Sequence, residues 1–83
     1  MSYSSLRESL DSKNYSNIRI KLISLRKENH LTQRGLAKKL SVGQSYISKV
    51  ELGQRRLDIL ELKQYLKALN YSIIQFLPEI EGM

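Results

Sequence analysis

The stretch Leu31 to Arg56, LTQRGLAKKLSVGQSYISKVELGQRR, holds two short amphipathic segments that meet at a tight joint, with polar residues crowding the start of the second. The spacing predicts one helix over Gln33 to Leu40 and another over Gln44 to Leu52, joined by Ser41, Val42 and Gly43. Leu36, Ala37 and Leu40 form the inner face of the first, and Ile47 and Val50 that of the second. The small Ala37 lets the two helices approach closely. Left outside on the second helix are Gln44, Ser45, Tyr46, Ser48 and Lys49, all polar apart from the Tyr46 ring.

One rule sets four of the helix starts. In a hydrophobic staple, an apolar residue just before the cap packs on the fourth helical residue and fixes how the chain enters the helix. Leu31 with Leu36 brackets a cap at Thr32, Val42 with Ile47 one at Gly43, Leu57 with Leu62 one at Asp58, and Tyr71 with Phe76 one at Ser72. Glu61 follows Asp58 by three residues and Gln75 follows Ser72 likewise, the partners a capping box uses to satisfy the first free N–H groups. Helices therefore start near residues 33, 44, 59 and 73. Upstream, Tyr15, Ile18, Leu22 and Leu25 recur at helical steps, so Ser12 or Asn14 caps a helix running to about Asn29. The helix from Asp58 ends near Leu69, where Asn70 can take the left-handed conformation, and Pro78 ends the last turn. No alternating strand pattern, repeat or low-complexity linker interrupts this order. The fold class is all-α, a compact bundle of five helices, with residues 1–12 an arm or short helix, 13–78 the domain and 79–83 a tail.

Composition narrows the function. A chain of 83 residues that is 41% hydrophobic builds one small core with little room for a catalytic pocket. Ser45, Ser48, Glu51 and His30 supply hydrolase residue types, but nothing organises a base or an oxyanion site around them, so no enzyme is expected. With no cysteine and a single histidine, neither a disulfide nor a zinc site is expected, and no cofactor is called for. No apolar run approaches the roughly 18 residues that cross a bilayer, and the charged N-terminus does not read as a signal peptide, which points to the cytoplasm. The net charge of +6 divides into +3 over residues 1–31, +5 over 32–57 and −2 over 58–83. A cationic middle third attracts phosphate by steering and counterion release, while the acidic last third faces away.

That middle third also carries the chemistry of major-groove reading. Gln pairs bidentately with adenine, Lys donates to guanine O6 and N7, and Ser is small enough to approach either base. Gln44, Ser45 and Ser48 or Lys49 are the leading base readers, because helix-turn-helix proteins present the first turns of the second helix to base edges. Tyr46 either stacks on a sugar or thymine methyl or covers the joint between the helices. The N-terminus at Thr32 and Gln33 offers free N–H groups to a phosphate. Gln54, Arg55 and Arg56, just beyond the second helix, suit the backbone or a narrow minor groove. Lys38 and Lys39 read more simply as solvated surface.

Leu25-Arg26, Leu31-Thr32-Gln33, Leu36-Ala37, Ser45, Ile47-Ser48-Lys49, Glu51-Leu52-Gly53 and Leu66-Lys67-Ala68-Leu69, in this order and spacing, resemble the phage repressor and Cro type of helix-turn-helix, the XRE-like family. The resemblance covers about Ile18 to Leu77. It implies a five-helix λ-repressor-like fold, DNA binding by the third helix, phosphate contact by Gln33, and a twofold homodimer on a palindromic double-stranded operator. It also implies an ion pair between Arg26 and Glu51. Glu51 is the only acid between Thr32 and Leu57, and an unneutralised carboxylate there would oppose a phosphate.

Three departures mark where the frame is weaker. Ser41 stands where the family has Gly in the turn, Gly43 where a Ser or Thr cap is common, and Gly35 lies inside a helix, where it costs about 1 kcal/mol relative to Ala. Leu52 replaces a position often polar in the family. The expected dimer face lies on helices four and five, where Ile73, Ile74, Phe76 and Leu77 exceed what a small domain buries. The expected function is a sequence-specific transcriptional regulator, a repressor. The alternative is an antitoxin that binds a toxin protein and autoregulates through the same motif.

Overall fold

The computed structural model describes residues 13–81, which form five helices: α1 Lys13–Glu28, α2 Gln33–Leu40, α3 Gln44–Glu51, α4 Ile59–Ala68 and α5 Ile73–Glu81. No strand occurs among the described residues. The predicted arm lies outside them, as does Ser12, and Asn14 falls inside α1 rather than at its cap.

A single local device ends four of the helices. His30, Ser41, Gly53 and Asn70 each take a left-handed backbone, with φ of 57°, 58°, 78° and 58°. At each, the next residue's N–H reaches back to the carbonyl five positions earlier: Leu31 to Arg26, Val42 to Ala37, Gln54 to Lys49 and Tyr71 to Leu66. The left-handed residue's own N–H bonds three back, so all four ends are Schellman motifs, which satisfy carbonyls that a helix end leaves open. Leu31, Val42 and Tyr71 thus close one helix and staple the next, which is why the apolar punctuation is so regular.

The starts follow the caps. Thr32 accepts the Gly35 N–H through its hydroxyl, and Ser72 does the same for Gln75. Asp58 and Glu61 exchange both bonds of a capping box, at 2.7 and 3.0 Å. Gly43 is extended and contributes no side-chain bond, so α3 begins without that help.

Leu22 and Leu25 of α1, Leu36 and Ala37 of α2, Ile47 and Val50 of α3, Tyr65, Leu66 and Leu69 of α4 and its end, and Phe76 of α5 make the buried core. α2 and α3 pack on each other, α1 backs α3, and α5 closes the bundle against α1 and α4.

One expectation at the C-terminal end is corrected. Pro78 lies inside α5, which continues to Glu81, so the boundary at residue 78 falls within a helix. A proline removes its own N–H and crowds the carbonyl four residues back, but the turn beyond it is held by other means: Ile80 packs on the core, and Glu79 pairs with the Lys21 ammonium at 2.7 Å and accepts the Tyr71 hydroxyl. Of the four apolar residues among which a dimer face is expected, Phe76 is fully buried and Ile73 is half-buried against the core, while Ile74 and Leu77 stand exposed. The Phe76 ring meets Tyr71 edge-on, with centroids 6.4 Å apart, as the staple requires.

Candidate nucleic-acid interface

α3 is held from behind and left open in front. Ile47 and Val50 are sunk in the core, while Gln44, Ser45 and Lys49 are exposed and Ser48 is half-buried. The back of the helix ends on Glu51, the one buried charged residue among those described. Its carboxylate accepts Arg26 Nε at 2.6 Å and Arg26 Nη2 at 3.1 Å, a two-pronged pair, and Gln33 Nε2 at 2.9 Å. Arg26 Nη1 also donates to the Leu31 carbonyl at 2.8 Å, and Arg19 Nη1 to the Glu51 carbonyl at 2.8 Å. One acid therefore ties α1, α2 and α3 together, and every lone pair taken offsets the cost of burying its charge.

The Gln33 amide, expected to hold a phosphate, is thus engaged with Glu51 through one of its two N–H bonds. Its backbone N–H remains at the open N-terminus of α2, beside the Thr32 cap. Thr32 and Gln33 line an open cleft of about 430 Å³ together with Arg26, Arg34 and Gln44. Arg34 carries a charge at the mouth of that cleft. Sequence reasoning passed over it because it sits among ordinary exposed helix residues.

The other edge of the interface lies beyond α3. Tyr46 donates its hydroxyl to Glu61 Oε2 at 3.0 Å, and Arg55 Nη2 meets the same oxygen at 2.6 Å. The Arg55 guanidinium lies 4.6 Å above the centre of the Tyr46 ring, a cation–π contact. Burial raises the Tyr46 hydroxyl pKa, and the Asp58 N–H, then Arg55, lower that of Glu61. Tyr46 thus packs over the joint against the core, and its hydroxyl is turned to Glu61 rather than forward beside Gln44. Arg56 stacks over the Tyr15 ring at 4.9 Å, which links this loop to α1, and Gln54 is exposed. Leu52 is 64% exposed at the end of α3, where no phosphate donor is available from its side chain.

Glu61 and Arg19 are the two residues whose part in this frame the sequence hid. Glu61 reads as a helix cap, and nothing in its position announces a tyrosine fifteen residues earlier. Arg19 reads as one of several charges on the solvated face of α1.

Residues 22–76 match the helix-turn-helix family. Among solved structures, the chain is similar to the wild-type restriction-modification controller protein C.Esp1396I, at 29% identity and a TM-score of 0.77 over 87% of this chain and 95% of that one. It is equally similar to the C.Esp1396I tetramer in complex with its natural 35 base-pair operator, with the same identity, coverage and TM-score. The clp gene regulator ClgR from Corynebacterium glutamicum shares 26% identity and a TM-score of 0.74 over 87% of this chain and 77% of that one. No curated protein matches the chain. No helix among the described residues is long and apolar enough to cross a membrane. With the family matched across all the helices that carry the interface, the chain belongs to the helix-turn-helix family of DNA-binding transcriptional regulators.

Proposed function

We propose that this regulator is a cytoplasmic repressor that binds a palindromic operator as a homodimer, reading bases with Gln44, Ser45, Ser48 and Lys49. The observation that carries the reading is the forward face of α3, polar throughout and open to solvent beside the cationic cleft at the start of α2. Thr32 and Gln33 would take phosphate at that cleft, and Gln54, Arg55 and Arg56 at the opposite edge. Tyr46 contributes to this edge rather than reading a base.

Self-association is supported by apolar surface on α4 and α5. Ile74 is 81% exposed and Leu77 49%, one turn apart on the same face of α5, and Leu60 of α4 is 69% exposed. Exposed aliphatic groups at this density on so small a domain favour a covered face. The similarity to a controller protein described as a tetramer in complex with its operator supports self-association.

Selection of bound duplexes from a randomised library tests the reading. The expected result is a palindromic consensus whose half-sites lie about one helical turn, roughly 34–36 Å, apart. A consensus without twofold symmetry, or a 1:1 complex by sedimentation, overturns the dimer.

A further inference from the structure

The Tyr46, Arg55 and Glu61 cluster has a property that a fixed structural pair lacks. Its members come from three elements: α3, the loop after it, and the first turn of α4. They meet on one carboxylate oxygen, Glu61 Oε2, while Oε1 takes the Asp58 N–H. The Tyr46 hydroxyl has one proton and gives it to Glu61. Arg55, 43% exposed in its side chain, gives Glu61 one of its two terminal nitrogens. Both are donors suited to a backbone phosphate: a planar guanidinium and a phenol.

We propose that Glu61 is an internal stand-in for a DNA phosphate, occupying the Arg55–Tyr46 site in the free protein and competing with the duplex for it. A carboxylate oxygen accepting from a guanidinium and a hydroxyl presents the same acceptor chemistry as a phosphate oxygen. The exchange is feasible because the pair is exposed: a solvent-screened ion pair contributes little to stability, and a phosphate at the same place adds counterion release. Nor does releasing Arg55 undo the start of α4, since the Asp58 carboxylate still accepts the Glu61 N–H. Glu61 is thus an affinity-setting residue that touches no DNA and acts through Arg55. The inference rests on the DNA-binding reading above.

Glu61→Gln separates this role from the helix cap, because Gln also serves as the third residue of a capping box. Binding to a random-sequence duplex is measured by fluorescence anisotropy at several salt concentrations for the unmodified protein, Glu61→Gln, Arg55→Ala and the double variant. Glu61→Gln is expected to bind severalfold tighter, with the log–log salt slope steeper by about 0.9, the value for one added phosphate. In the Arg55→Ala background the same substitution should change little. Glu61→Ala, which keeps the Asp58 half of the cap, repeats the cycle should the Gln variant lose its fold. Equal tightening with and without Arg55 means a general charge effect and overturns the proposal. Weaker binding by Glu61→Gln overturns it too, by making the carboxylate a support for Arg55 rather than a competitor. If the unmodified protein binds no duplex, the DNA reading falls together with this inference; if it binds and Glu61→Gln changes nothing, the inference alone falls.

Discussion

Gln33 and Glu51 are joined by a 2.9 Å hydrogen bond from the amide to the carboxylate, so a residue at the mouth of the cationic cleft is locked to the acid that closes the recognition helix. The amide is neutral, and it orients the start of α2 without adding charge. Gln33→Ala should therefore weaken operator binding by roughly fivefold, the worth of about one hydrogen bond, and leave the salt slope unchanged. Anisotropy titrations across salt concentration read both quantities, and a shallower slope would show that the side chain had been organising a cationic contact.

Arg26→Ala leaves the Glu51 carboxylate, 7% exposed, without its main partner. The loss expected is about 3–5 kcal/mol, which is much of the stability of a small domain. Urea denaturation followed by circular dichroism measures it. Arg26→Lys should recover only part, because an ammonium cannot reach two carboxylate oxygens and the Leu31 carbonyl with one fixed fork. Glu51→Ala should likewise lower the unfolding midpoint while sparing sequence preference; an unchanged midpoint would contradict the account of this pair.

Two left-handed positions should respond in opposite directions. Ser41 holds φ 58° and ψ 42° where a side chain is disfavoured, so Ser41→Gly should stabilise by about 0.5–1 kcal/mol. At Gly53, φ is 78° and an added Cβ would lie 3.0 Å from Arg19 Nε. Gly53→Ala should destabilise by about 1–2 kcal/mol and push Arg19 from the Glu51 carbonyl. Thermal unfolding of the two variants checks the signs; a stabilising Gly53→Ala would refute the strain assigned there.

The last helix should be sensitive to acid. The Lys21 ammonium, and then the Tyr71 hydroxyl, hold the Glu79 carboxyl below its ordinary 4.5. A depressed folded-state pKa gives stability that is present above the unfolded value and is lost as pH falls through the folded one. The melting temperature should thus exceed that of Glu79→Gln at neutral pH, and the gap should close as pH drops below 4.5. A gap that widens in acid would reverse the assignment.

The five helices were legible because their boundaries are written twice. Leu31, Val42 and Tyr71 each serve a helix end and the next helix start, so apolar spacing and cap residues agree. Pro78 misled because proline's effect on one N–H was read as the end of a helix whose next turn is anchored by Glu79 and Ile80. Hydrophobic excess does not say which side of a short helix faces the core, so which of Ile73, Ile74, Phe76 and Leu77 turn outward was not legible: Ile73 and Phe76 pack inward, Ile74 and Leu77 stand exposed. At the interface, the polar forward residues of α3 follow from helical periodicity alone. The attachments of Gln33, Tyr46 and Arg55 do not: Gln33 and Tyr46 depend on acids eighteen and fifteen residues away, Glu51 and Glu61, that meet them only once the bundle has closed, and Arg55 joins Glu61 across a loop whose path helical periodicity does not give.

The attachment of α3 through Glu51 has a consequence for how this protein changes over generations. The roll of the recognition helix is set by Ile47, Val50 and Glu51 at its back, none of which faces forward. Gln44, Ser45 and Lys49, the proposed base readers, share no side-chain bond with that anchor, so on that proposal a substitution among them would alter which duplex is preferred and leave the tilt of the helix as it was. Innovation in target sequence would thereby be uncoupled from foldability, and a lineage would acquire a new operator through single forward-facing replacements while its scaffold stays constant.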